Sequence, residues 1–362
     1  MLLPDIKSQT REDLEAKFKE LGEPVYRVKQ LMDWLYVHRV TDWEAMTNLS
    51  KPLREKLRQT FSLSALEIVR KQGSRDSTQK FLWKLADGSF IESVLIPANP
   101  SLYGEASDRH TLCVSSQVGC AYGCKFCASG LDGWKRNLLP HEIVEQVMGV
   151  ERYCAAENAK ALAGSEIQPP TLQPRNPGRA FPNERVVDNL VIMGMGEPMA
   201  NYDNLLKALR LLNSGWGGRI GARKITVSTV GLPAAIRKLC TFEIPVTLAL
   251  SLHAPFDELR RQIIPWAEYS TIEELLDACQ EWFVKTGREI TLEYIMLGGV
   301  NDRPEHAEEL ARLARTMRAN VNLIRYNEVA GVPFARPGTE DVRRFQEVLR
   351  AKHVNTHIRA SR

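Results

Sequence analysis

The stretch "NLVIMGMGEPMANYDNLLKALRLLN", residues 189–213, joins an apolar run to two glycines and Glu197, then to leucines at helical spacing. A continuous apolar run of this length reads as a strand covered on both faces, and the leucines read as an amphipathic helix. The same pairing recurs along the chain. Apolar, β-branched runs occur at "TLCVSS", "NLVIMGMGEP", "KITVSTVG", "VTLALSLHAP", "EITLEYIMLGG" and "NVNLIRYNEV". Helical patterns fall at 140–159, 203–213, 232–240, 272–286, 304–318 and 339–352. Strand alternating with helix predicts a parallel sheet with right-handed crossovers. Six units are too few for a full eight-unit barrel, so the fold class is α/β with an open or partial barrel.

Glycines and polar residues recur at the C-terminal end of these strands: Gly196 and Glu197, Ser228, Ser251 and His253, and Asn327. In parallel α/β folds that rim is where ligands bind. One such residue reads equally well as a turn former or helix cap. Four strands ending this way are better explained by one shared ligand.

Upstream of Thr111 the texture differs. "TREDLEAKFKELG" carries a capping pattern at Thr10 and Asp13 and ends at Gly22. "YRVKQLMDWLYVHRV" is helical in spacing, and "LSKPLREKLRQTF" starts at Ser50 with Pro52 in its first turn. Residues 1–62 are therefore expected to form a small helical domain. Residues 63–110, with short alternating runs broken by "DG", are expected to form two or three strands. Residues 111–362 form the α/β core. A Pro- and Gly-rich stretch at about 160–185 reads as an extended insertion in it.

Composition is that of a globular protein, 44% hydrophobic and 25% charged. No apolar run is long enough to span a membrane, and "MLLPDIKSQTRED" turns charged at once. A cytoplasmic location with reduced thiols is expected, and the 7 unevenly spaced cysteines are no disulfide framework. Net charge is +4, which permits a polyanionic partner without requiring one. Residues 341–362 are basic, and "GWKRN" (133–137) and "GGRIGARK" (217–224) could contact phosphates. Each also reads as ordinary solvated surface.

Three cysteines, Cys120, Cys124 and Cys127, crowd into "SSQVGCAYGCKFCASGLDGW" among glycines and Lys125, a loop and not a packed face. A structural zinc site wants four closed ligands, usually as paired C-x2-C units, and a second pair is absent from the sequence. An iron–sulfur cluster takes cysteine thiolates, usually one per iron. Three would leave one iron of a 4Fe–4S cluster open to a small molecule. Ligand count favours iron–sulfur over zinc or no metal.

The Cys-x3-Cys-x2-Cys spacing, with Phe126 before the last cysteine, resembles the radical SAM superfamily. "TLCVSSQVGCAYGCKFCASG", "VIMGMGEPMANYDN", "ITVSTVGLP", "LALSLHAPFDELR" and "EYIMLGGVND" resemble the RlmN/Cfr family of RNA adenine methyltransferases, as does "YRVKQLMDWLYVHRVTDWEAMTNLSKPLREKL". The resemblance runs along nearly the whole chain. It implies a partial (β/α)6 barrel, a 4Fe–4S cluster on Cys120, Cys124 and Cys127, and S-adenosylmethionine (SAM) held by Gly196, Glu197, Ser228, Ser251, Leu252, His253 and Asn327. It implies a proton acceptor at Glu92 and, at Cys113, a thiol that resolves a covalent protein–RNA intermediate through a disulfide. By residue type alone Glu92 is a strand glutamate and Cys113 a buried core cysteine. Cys154, Cys240 and Cys279 match no family role and read as packing residues.

The implied reaction is methylation of carbon-2 of adenosine in 23S rRNA and tRNA, with carbon-8 in the Cfr branch. Folded RNA is the implied partner, with a flavodoxin- or ferredoxin-type electron donor, no membrane, and a monomeric enzyme. The family closes with a segment of the type RG-x-D-I-x-A-A-C-G-Q-L, whose cysteine carries the methyl group. Here the sequence reads "HVNTHIRASR" (353–362) where that segment would begin, so the expected place of its cysteine lies beyond residue 362. Two other readings therefore stay open: a homologue that binds RNA and cleaves SAM without methyl transfer, and an RNA-binding protein with a structural cluster.

Overall fold

The computed structural model describes residues 3–74, 77–98, 109–163 and 185–359. Most of the expected insertion lies outside these residues. They fall into two compact units that interleave along the chain. The first takes its residues from 1–114, Leu138–Leu190 and Asp203–Gly221, and the second from Ser115–Asn137, Val191–Tyr202 and 222–362.

The first unit begins with the three expected helices, α1 (Arg11–Glu20), α2 (Tyr26–Met32) and α3 (Lys51–Thr60). The Thr10 hydroxyl accepts from the Asp13 amide while the Asp13 carboxylate accepts from the Thr10 amide, closing the capping box read from sequence. Ser50 caps α3 in the same way. After Met32 the helix loosens into a π turn over Asp33–Val37. Three antiparallel strands follow, β1 (Glu67–Gln72), β2 (Gln79–Lys84) and β3 (Phe90–Pro97), and β3 pairs antiparallel with β4 (His110–Cys113). Helix α4 (Pro140–Ala163) runs four residues past its expected end. Buried charges hold this unit together: Lys7 Nζ and Arg152 Nη2 contact the two oxygens of Glu145 at 2.5 and 2.6 Å, and Arg39 pairs with Glu151.

The second unit contains five strands in the order β8-β9-β10-β11-β12, each pair parallel where registered. They are β8 (Ile225–Thr229), β9 (Thr247–Ser251), β10 (Ile290–Met296), β11 (Ala319–Arg325) and β12 (Thr356–Arg359). Strand β7 (Val187–Ile192) leads to helix α5 (Tyr202–Asn213). Helices α6 (Pro233–Leu239), α8 (Ile272–Thr286), α9 (Pro304–Thr316) and α10 (Thr339–Ala351) occupy the expected crossovers, and a short α7 (Asp257–Ile263) is added. The six apolar runs all contain strands.

Besides α7 and the π turn, two features were not read from sequence. Strand β12 continues the parallel order within the basic C-terminal segment. Strands β5 (Gln117–Gly119) and β6 (Trp134–Asn137) form a two-stranded antiparallel ribbon whose connection is the cysteine stretch. The "GWKRN" segment is thus mostly strand. Gly119 sits at the ribbon's bulge with φ +73°, and a Cβ there would lie 1.9 Å from the Gly133 carbonyl oxygen. Only glycine fits that approach.

Candidate active site

A cavity of about 240 Å³ opens at the C-terminal ends of the second unit's strands. Cys120, Cys124 and Cys127 line one part of it, and Gly196, Glu197, Ser228, Ser251 and His253 line the rest. Eight of the sequence-derived candidates are therefore brought together.

Side chains of the β5 root fix the "GMGEP" turn. The Met195 amide donates to Ser115 Oγ (3.0 Å), the Glu197 amide to Gln117 Oε1 (2.8 Å), and Asn201 Nδ2 to the Ser116 carbonyl (2.8 Å). Gly196 has φ +97°, and a Cβ on it would strike Gln117 at 2.4 Å. The turn thus requires glycine both for conformation and for space. It presents Glu197, 4% exposed, whose oxygens accept from the amides of Met199 (3.0 Å) and Val230 (2.7 Å). Burial pushes this carboxyl up to about 7, against the pull of those amides and the Thr229 hydroxyl.

Burial also raises the Cys120 and Cys124 thiols, and the neighbouring thiols and Glu197 add to it. Thiolates at Cys120 and Cys124 would therefore call for a neutralising cation. Among the described residues no three His, Cys, Asp or Glu side chains converge tightly enough for a single metal ion. A 4Fe–4S cluster gives each thiolate a different iron, so its ligands surround a volume and not a point. Donor type, three cysteines lining one cavity, fits such a cluster.

His253 has φ +59°, an unusual state for a non-glycine residue, and is 7% exposed. Its Nδ1 accepts from the Ile295 amide (3.0 Å), which leaves the ring proton on Nε2. Burial and the Arg260 charge lower it to about 3, so it is neutral at working pH. Asn301, fully buried, holds the His253 turn by donating to the carbonyls of His253 (2.7 Å) and Ile295 (2.6 Å). Ser228 Oγ and Ser251 Oγ stand 3.3 Å apart.

Leu252 is fully buried, and Asn327 is exposed just beyond β11. Neither is among the described cavity-lining residues, whereas Ile324 of β11 is. Glu92 and Cys113 belong to the first unit. Glu92 on β3 is half-exposed and pairs with Lys80, and Cys113 is buried at the end of β4 opposite Val94. Cys279 is fully buried in α8, and Cys154 and Cys240 are partly buried.

Sequence reasoning missed Glu293, Arg359 and Tyr122, which also line the cavity. Glu293 is 4% exposed in the middle of β10, and its Oε2 accepts from Asn322 Nδ2 (2.8 Å). Burial pushes it up to about 7, with the Arg359 charge and Asn322 opposing. A charged residue inside the apolar run "EITLEYIMLGG" was the available signal, since an unpaired strand glutamate is rarely buried.

A parallel α/β sheet with three cysteines and a buried carboxylate at its rim defines the radical SAM class. The radical SAM superfamily profile matches residues 152–314, and that of the ribosomal RNA large subunit methyltransferase N-terminal domain matches residues 5–63. The chain is 44% identical to the probable dual-specificity RNA methyltransferase RlmN 3 of Opitutus terrae, over 98% of this chain and 90% of that one. It is 43% identical to the dual-specificity RNA methyltransferase RlmN of Anaeromyxobacter dehalogenans, over 99% and 88%. The crystal structure of a radical SAM methyltransferase from Sphaerobacter thermophilus superposes with a TM-score of 0.85 at 39% identity, covering 99% of this chain and 96% of that chain. The chain belongs to the RlmN family of radical SAM enzymes, whose cofactors are a 4Fe–4S cluster and SAM.

Proposed function

We propose that this protein is a radical SAM methyltransferase that modifies carbon-2 of adenosine in 23S rRNA and in tRNA. The observation that carries the reading is the convergence of Cys120, Cys124, Cys127 and Glu197 on one cavity, in a chain with RlmN relatives at this identity. When bound, the cluster and SAM supply a one-electron reduction and an adenosyl radical, chemistry that side chains lack.

The chain's own residues do the positioning. Cys120, Cys124 and Cys127 would hold the cluster through their thiolates. Glu197, fixed by two amides, would accept from the SAM ammonium. Ser228, Ser251 and Glu293 offer hydroxyl and carboxylate groups to the adenosyl end. Neutral His253 is a hydrogen-bond donor through Nε2 and not a base. Glu92 takes the role of proton acceptor and Cys113 that of the resolving thiol. The substrate base is brought out of its stack to reach the cavity, as enzymes acting on bases require. The electron comes from a flavodoxin- or ferredoxin-type donor, and the enzyme works as a cytoplasmic monomer. Among the described residues no helix is long and apolar enough to cross a membrane.

Anaerobic reconstitution followed by reduction with dithionite tests the chemistry: 5′-deoxyadenosine should form from SAM. Cys124→Ala should lose both cluster and SAM cleavage, while Cys113→Ala should keep both. Mass spectrometry of rRNA and tRNA from a deletion strain tests the product. Unchanged 2-methyladenosine would overturn the assignment.

A further inference from the structure

Arg260 on α7 is 0% exposed. Its Nε donates to the Leu252 carbonyl (3.2 Å) and its Nη2 to the Val230 carbonyl, while Nη1 is buried with no hydrogen-bond partner. A buried guanidinium whose hydrogen bonds among the described residues go to neutral carbonyls is expensive, and Asp257 at the start of α7 offsets only part of that cost. The surroundings point to where that charge is directed. The α7 end is tied to the cysteine loop, since the Lys125 amide donates to the Ile263 carbonyl (3.0 Å). Cys124 and Cys127 pack on the apolar cluster containing Val230, Ile263 and Ile264. Burial lowers the guanidinium, and Cys124 and Asp257 both act against that, which places Arg260 within electrostatic reach of the cysteine loop.

We infer that Arg260 is the built-in counter-charge of the cysteine-held cluster, a positioning residue that makes the cluster easier to reduce. The inference rests on the proposed cluster site. A three-thiolate 4Fe–4S site is already anionic, and one added electron makes it more so. A fixed cation stabilises the reduced form over the oxidised one, which raises the midpoint potential. The guanidinium does this from a dry pocket, where water screens it little.

The test is an EPR-monitored redox titration of anaerobically reconstituted protein, with thermal unfolding of the same samples. Arg260→Lys keeps the cation, and its midpoint should stay near that of the unmodified protein. Arg260→Gln removes the cation, and its midpoint should move to more negative values. Arg260→Met, which fills the stem's volume without a buried amide, serves as the neutral variant if Gln does not fold. A purely structural clamp would lower the melting temperature and leave the potential unmoved, and that result overturns the inference. Cluster uptake by the Lys variant but not by folded neutral variants supports it, and loss of uptake in all three counts against it. If the unmodified chain binds no iron and sulfide, the cluster reading itself fails, which is a separate outcome.

Discussion

The two units treat buried carboxylates in opposite ways. In the first, Glu145 lies between Lys7 and Arg152. Burial pushes its carboxyl up, but the two cations more than reverse this and hold it below its ordinary value. In the second, Glu197 and Glu293 are each 4% exposed, yet their hydrogen bonds come from neutral amides and the Thr229 hydroxyl, and both are pushed up to about 7. The first arrangement is complete as it stands. The second is poised for a cationic or hydroxyl-bearing ligand. Burial alone does not distinguish structure from function; the partner does.

Removing the paired carboxylate should show the largest effect. Glu145→Ala strands two cations, and about 3–5 kcal/mol of stability should be lost in urea unfolding. A loss below about 1 kcal/mol would break the comparison.

Glu293→Gln should act the other way, and only at higher pH. Its folded value of about 7 lies above the ordinary 4.5, so the folded state binds the proton more tightly than the unfolded state. Stability from this group is full below pH 4.5 and is lost as pH rises towards 7. Without SAM, the stability of Glu293→Gln relative to the unmodified protein should therefore grow by about 3 kcal/mol between pH 4.5 and 7.5. A flat difference would show that the carboxyl is not desolvated.

Glu197→Gln should leave iron content unchanged and weaken SAM by about 1.5–3 kcal/mol, on the order of tenfold to a hundredfold in Kd by calorimetry. Unchanged affinity would remove Glu197 from the site.

The comparison should vanish for the helix caps. Thr10 and Thr271 each close a capping box, one in each unit. Thr10→Ala and Thr271→Ala should each cost about 1 kcal/mol in thermal unfolding. Unequal losses would mean that the caps are not local devices.

Much of this was legible in sequence. The Thr10 capping box, the strand–helix alternation and the cysteine spacing are local patterns, set by residues within a few positions of one another. The ribbon of β5 and β6 was missed because strands of three and four residues carry too little periodicity. Helix α7 was missed at seven residues for the same reason. Asn327 and Leu252 share motifs with cavity residues but do not line the cavity, because a motif does not fix which way each side chain turns.

The amino-acid order alone determined an α/β core, three clustered thiols and a glycine–glutamate strand end. Tertiary structure decided which charges are desolvated and what faces them. Glu293 meets Asn322 from the next strand, and Arg260 reaches Val230 across 30 positions. Such couplings follow from long-range packing, and no window of neighbouring residues encodes them.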